Sequence, residues 1–348
     1  MSGCEPECRV AGVRRPPLEI ALGADLLAAV EQGAAAVPSP VAEALAEALR
    51  VELGAPLAGV VFYGSQLNRT AGARSDWDFF VLVDSYRAAH RSRLHAQLNR
   101  VLPPSIYRRR VALADGSTPA CKLSIVSMDD LERYTSAAAP DSYVFGRLSK
   151  RVSVVLARDE RTRRRIVEAL ARSVALCAAW TLASRREGVS IETLAQESVA
   201  FSYRCEERVE GPSRASKLFE ADAGHYRAVY RAALTAQVAT GRVQIGSTGI
   251  ARWPRSDREG RLDQAAVVAF VGASRRRARL RWLKNVYTFE GWDDYMLVKL
   301  ERHQEVRIAL SDRERRHPLL AAARHYVRLR RSGRLSRPGE PKRPDRRS

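Results

Sequence analysis

Asp76 and Asp78, separated only by Trp77 and preceded by the dipeptide Gly64-Ser65, are the residues whose types and spacing could do chemistry together. Two carboxylates side by side repel each other unless a cation joins them. Mg²⁺ takes hard oxygen ligands and shares them with substrate phosphates. Gly64 lets the backbone approach a phosphate with no Cβ in the way, and Ser65 offers a hydroxyl and a backbone N–H as donors. With Tyr63 and Ser75 flanking the two pieces, the set points to Mg²⁺ and a nucleoside triphosphate.

These residues need particular elements to hold them. Leu57 to Tyr63 is predicted to be a buried strand ending in the Gly64 turn, and a second strand is predicted to open at the aspartates and run to Asp84. Alternate side chains of a strand share a face, so Asp76 and Asp78 project together and Trp77 points away. An isolated Asp-x-Asp is commonly a solvated turn. Here Phe79 to Val83 is too apolar for a surface loop, which favours the metal reading. Lys122 stands in a third apolar strand, Cys121 to Ser127, where a lysine is costly unless it has a partner.

The 348 residues are 45% hydrophobic, enough for sizeable cores. Lys and Arg number 59 against 39 Asp and Glu, a formal charge of +20 that favours nucleotides, nucleic acid or acidic lipid and disfavours a cationic acceptor. Five cysteines without a CxxC pair suggest a reducing compartment rather than a disulfide framework. The best candidate for a membrane span, Ile166 to Ala183, is interrupted by Glu168 and Arg172, and the first residues, with Glu5 and Glu7, do not read as a signal peptide. The expectation is a soluble or peripheral protein and, should acidic lipid be the partner, a cytoplasmic one peripheral on the inner face of the membrane.

Along the chain, residues 1–36 read as irregular. Residues 37–158 read as one α+β domain: a helix at Pro40 to Leu53, the first two strands, a helix at Tyr86 to Leu102, the third strand, and a further strand at Val152 to Ala157. Residues 159–305 read as a mainly helical second domain, with a hairpin or loop within Gly241 to Arg261 and a helix at Asp263 to Val271. His225, Tyr226 and Tyr230, at helical spacing, read as packing. Residues 306–332 contain a basic amphipathic helix, Arg313 to Arg331, suited to an anionic membrane surface, to packing on the domain with its arginines in water, or to nucleic acid. Residues 333–348 read as a disordered tail.

Several separated segments, in this order, resemble a known family: Val61 to Ser65, Asp78 to Asp84, Lys122 to Ser127, Tyr143 to Lys150, Ser202-Tyr203 with Arg208, His225 to Tyr230, and Lys284 to Thr288. Together they look like the mitochondrial-type phosphatidate cytidylyltransferases and their bacterial relatives. The resemblance implies a nucleotidyltransferase (polymerase-β-like) mixed sheet followed by a winged-helix-like domain. It implies the reaction of CTP with phosphatidic acid to give CDP-diacylglycerol and pyrophosphate, with Mg²⁺. Asp76 and Asp78 would hold the metal. Tyr63, Gly64, Ser65 and Ser75 would bind the nucleotide, and Lys122 would neutralise charge at the attacked phosphorus or on the lipid phosphate. Arg147, Lys150 and Arg208 become candidate contacts to substrate phosphate, and Glu206 or Glu207 a further acid.

The chain departs from the family pattern in three places. No third carboxylate stands in Cys121 to Ser127, so either the metal is held by fewer protein ligands or Asp84 or an acid of the helical domain completes its site. Gln66 follows Gly64-Ser65 where the family has a small residue, and Cys205-Glu206 replaces a Gly-Asp pair. Two other readings compete: a nucleotidyltransferase acting on a small molecule, protein or RNA, and a non-catalytic nucleic-acid-binding protein using the arginine surface. The lipid reading requires no nucleic acid.

Overall fold

The computed structural model describes residues 20–35, 39–68, 75–206 and 213–288, together with 311, 314, 324, 325 and 328. In chain order the elements are α1 (Ala24–Ala34), α2 (Pro40–Leu53), β1 (Leu57–Tyr63), β2 (Trp77–Val83), α3 (Tyr86–Ala89), α4 (Arg93–Val101), β3 (Ser105–Arg110), β4 (Ala120–Ser127), α5 (Met128–Tyr134), α6 (Phe145–Leu148) and β5 (Ser153–Ala157). There follow α7 (Glu160–Ser184), α8 (Ile191–Arg204), α9 (Ser213–Ala221), α10 (Ala223–Ala239), β6 (Gln244–Ile245), β7 (Ala251–Arg252) and α11 (Asp257–Thr288). This is an α+β protein.

Local chemistry accounts for the borders next to the site. Ser39 caps α2 by accepting a hydrogen bond from the Ala42 N–H, Pro40 opens the helix, and Gly54 ends it at φ 63°. The chain then enters β1. The sheet order is β3-β4-β2-β1-β5. β1 runs antiparallel to both β2 and β5, β2 runs parallel to β4, and β3 runs antiparallel to β4.

Both faces of the central strands are covered, which is why they read as continuous apolar runs. On one face Phe79, Val81 and Val83 of β2 join Val60, Phe62, Leu123 and Ile125 against Ala42, Leu45 and Leu49 of α2. On the other, Phe80, Leu82, Val61 and Val126 share one apolar cluster with α1, α7, α8 and α10. The border expected at 158/159 therefore does not fall between two separate cores. By length and composition α7 could cross a bilayer, but 89% of its apolar window is buried inside the protein, as in a core helix. Beyond it, β6 and β7 pair as a small hairpin within the segment expected to turn.

Four expectations need correction. Residues 24–34 are helical, because α1 buries Leu26, Val30 and Ala34. The helix expected over Tyr86 to Leu102 is two: Ser85 caps α3, His90 turns out of the helix at φ −113° and ψ 129°, and Ser92 caps α4. β3 was not expected at all. It lies on the sheet edge, where its arginines are partly exposed and the period-2 apolar signal is absent. The helix expected over Asp263 to Val271 is the much longer α11. Most of the basic helix expected at Arg313 to Arg331, and all of the tail, lie outside the described residues.

Candidate active site

Register builds the site. Tyr63 on β1 stands opposite Asp78 on β2, Asp78 opposite Lys122 on β4, and Lys122 opposite Arg108 on β3. Paired residues on adjacent strands project to the same face. Arg108, Lys122, Asp78 and Tyr63 therefore form one rank across four strands, on the face that carries Phe80, Leu82 and Val126 toward the helices. Asp76 stands just before β2, one strand repeat from Asp78, and joins the same rank.

The two carboxylates converge. Lys122 Nζ is 3.2 Å from Asp76 Oδ2 and 3.8 Å from Asp78 Oδ1. Arg108 closes on Asp76 from the edge strand, with Nε 3.1 Å from Oδ2 and Nη2 3.1 Å from Oδ1. Burial alone would raise the Asp76 carboxyl, but Arg108 and Lys122 outweigh it and hold the group below the ordinary aspartate range. Arg108 is the site residue that sequence reading missed. The available signal was the Arg108-Arg109-Arg110 run preceding the Lys122 strand, and it carried no strand periodicity.

The glycine turn lies directly against Asp78. Gly64 has φ 95°, and a Cβ added there would come within 2.5 Å of Asp78 Oδ2. Only glycine meets both demands. Asn68 Nδ2 donates to the Gly64 carbonyl at 2.7 Å, and Gln66 Nε2 donates to the Ser75 carbonyl at 2.9 Å. Gln66, a departure from the resemblance, thus ties the turn carrying Ser65 to the head of β2. Tyr63 lies 3.3 Å from Ser124, Oη to Oγ, and burial pushes its phenol up, so it stays protonated at neutral pH.

The remaining candidates separate. Arg147 is held by Glu206 in a two-pronged ion pair, Nη2 to Oε2 at 2.9 Å, and its guanidinium lies 3.5 Å from the centre of the Tyr143 ring. Burial works against its charge, but Glu206, Tyr143 and Tyr63 outweigh that and raise its pKa. Arg147 thus stays charged within electrostatic reach of Tyr63, and Glu206 is committed to it. Lys150 Nζ lies 4.3 Å from the centre of the Tyr203 ring. Asp84 is at the opposite end of β2, roughly 20 Å from Asp78 by strand rise, and is paired with Arg158 at 2.6 Å, so it does not complete the site. Glu207 and Arg208 lie outside the described residues. His225 is packed against Gly33 and Tyr226, and burial pushes it down to about 4.

The donor set suits a hard divalent cation. Asp76 and Asp78 each bring one oxygen near the Lys122 ammonium, at 3.2 and 3.8 Å, so the positive charge of Lys122 lies between them. Among the described residues no group of three or more His, Cys, Asp or Glu gathers as a metal site. Other ligands would then come from substrate phosphates, as Mg²⁺ favours. Both oxygens of Asp76 are engaged by Arg108, so Asp76 could ligate only once that pair opens.

The fold and this cluster define the class: an α+β protein whose mixed sheet presents paired carboxylates and paired cations beside a glycine turn. Comparison with family models and with curated proteins finds no match for the chain.

Proposed function

We propose that this chain is a Mg²⁺-dependent phosphatidate cytidylyltransferase, built as a nucleotidyltransferase fold with a winged-helix-like second unit and working at a membrane surface. The observation that carries the nucleotide chemistry is the convergence of Asp76, Asp78 and Lys122 beside the Gly64 turn. The lipid acceptor rests on the ordered segments that resemble that family and on the +20 charge.

The reaction suits a site without a neutral base. The attacking group is a phosphate monoester, already anionic at neutral pH, so no proton needs removing and rate comes from alignment and charge neutralisation. A lipid phosphate oxygen bonds to the α-phosphorus of CTP, and the bond to the bridging oxygen breaks, releasing pyrophosphate. Asp76 and Asp78 would hold Mg²⁺, which when bound neutralises triphosphate charge. Lys122 and Arg108 are placed to take up the charge of phosphates that displace them from the aspartates. Gly64 and Ser65 cradle the phosphates, and Tyr63, kept protonated, donates a hydrogen bond. His90, pushed down to about 4 chiefly by burial, packs on Tyr107 and lies 3.1 Å from the Asn99 amide, Nε2 to Nδ2.

The test is an assay of purified protein with labelled CTP, Mg²⁺ and phosphatidic acid in mixed micelles, beside ATP, GTP and UTP. CDP-diacylglycerol is the expected product. Labelling of RNA or a small molecule instead would replace the acceptor and leave the nucleotide chemistry standing. No transfer to any acceptor would overturn the proposal.

A further inference from the structure

The last turns of α11 are inverted. Their inward side is polar: Arg281, 2% exposed, donates to the Pro103 carbonyl at 2.9 Å and pairs with buried Asp141 at 2.9 Å. Lys284 donates to the carbonyls of Leu102 and Pro104 at 2.5 and 2.7 Å. Their outward side carries Leu280, Trp282 and Leu283, exposed by 56, 40 and 52%. A surface helix ordinarily does the reverse, burying its apolar stripe and turning its charges to water. Specific hydrogen bonds hold this helix in place while its apolar groups face out.

Exposed apolar side chains also stand on α4, the helix that leads into the segment α11 holds. The carbonyls that Arg281 and Lys284 grip directly follow Val101, which is exposed, and Leu94 lies two turns earlier on the same face of α4 and is also exposed. The charge around the patch has one sign. Residues 85–114 and 264–288 contain no Asp or Glu, and Arg100, Arg275 and Arg276 are exposed among the apolar side chains. Exposed leucine and valine among arginines suit the interfacial zone of an anionic bilayer. A surface for single-stranded nucleic acid would instead use aromatic platforms for bases, and among the described exposed large apolar side chains of α4 and α11 only Trp282 is aromatic.

We propose that this α4–α11 face is the surface by which the protein docks on an anionic membrane, with Leu94, Val101, Leu280, Trp282 and Leu283 entering the headgroup boundary. The inference rests on the lipid reading above and deepens it. The chain leaving α4 becomes β3, whose Arg108 reaches Asp76, so the docking face borders the edge strand of the site.

Full-length protein is sedimented with phosphatidylcholine vesicles with and without phosphatidylglycerol, an anionic lipid that is not the substrate. Wild type is expected to bind only the anionic vesicles. Leu280→Glu/Leu283→Glu and Val101→Glu should each weaken binding about tenfold or more. Val51→Glu, at an equally exposed valine on α2, should not. Circular dichroism and melting confirm that the variants fold. Unchanged vesicle binding in the face variants would overturn the proposal. So would a loss confined to RNA binding, or a change confined to self-association. Turnover of a monomeric short-chain phosphatidic acid, measured in parallel without vesicles, separates the two ideas. Absence of turnover in the wild type sinks the enzymatic reading alone, whereas normal turnover with face-independent vesicle binding sinks the docking surface alone.

Discussion

Asp78 and Asp76 sit two residues apart and are held differently. Asp78 faces the Gly64 turn and Lys122, whereas Asp76 is gripped by Arg108 as well. Asp78→Asn keeps the shape and removes the charge, so turnover should fall by about 100-fold or more with an unchanged melting curve, read in the CTP assay. Arg108→Gln should cost roughly 1–2 kcal/mol at neutral pH by urea unfolding, because Lys122 alone remains to balance buried Asp76. The sign of the pH effect follows from the depressed carboxyl. The wild type's advantage is fully present above the ordinary aspartate value of 3.8 and shrinks as pH falls through the lower folded value. Equal urea midpoints for the two proteins at pH 7 would remove Arg108 from the account.

Elements decide whether those residues meet. The β1–β2 turn works only with glycine at position 64, where a side chain would be strained by φ 95° and would strike Asp78. Gly64→Ala should destabilise the protein by roughly 1–3 kcal/mol and lower CTP affinity, measurable by denaturation and by calorimetric titration. α11 is fixed at the other end of the edge strand by Lys284. Burial, reinforced by Arg281 and Arg277, pushes this lysine down to about 6 from 10.5. Between those values the unfolded chain binds a proton that the folded one does not. Stability of the wild type relative to Lys284→Met should therefore rise with pH across that window, and a flat or falling difference in urea midpoints between pH 6 and 9 would contradict it.

At the scale of the molecule, the sheet face below the site is covered by α1, α7, α8 and α10 rather than by solvent. A fragment ending at residue 158 would expose Val61, Phe80, Leu82 and Val126. It should be insoluble or lack near-UV circular dichroism, whereas the full chain should unfold in a single transition by calorimetry. Two well-separated transitions would show that the units are independent after all.

Much of this was legible without coordinates. β1 and α2 were legible to the residue, because their apolar patterns are bounded by Ser39, Gly54 and Gly64, whose local chemistry stops an element wherever it occurs. The shared face of Asp76 and Asp78 follows from strand periodicity alone. Partnership was not legible. That Lys122 stands between the two aspartates depends on β4 running parallel beside β2, and that Arg108 reaches Asp76 depends on an edge strand without apolar alternation. The reversal of α11 is likewise invisible in its composition, since Arg281 and Leu283 exchange their usual environments only because the carbonyls after α4 and the carboxylate of Asp141 accept the hydrogen bonds of Arg281 and Lys284. Local sequence sets which residues can share a face, through backbone geometry and short-range sterics. Which charges neutralise one another is set by distances between segments remote in the chain, and those exist only once the sheet register and helix packing have formed.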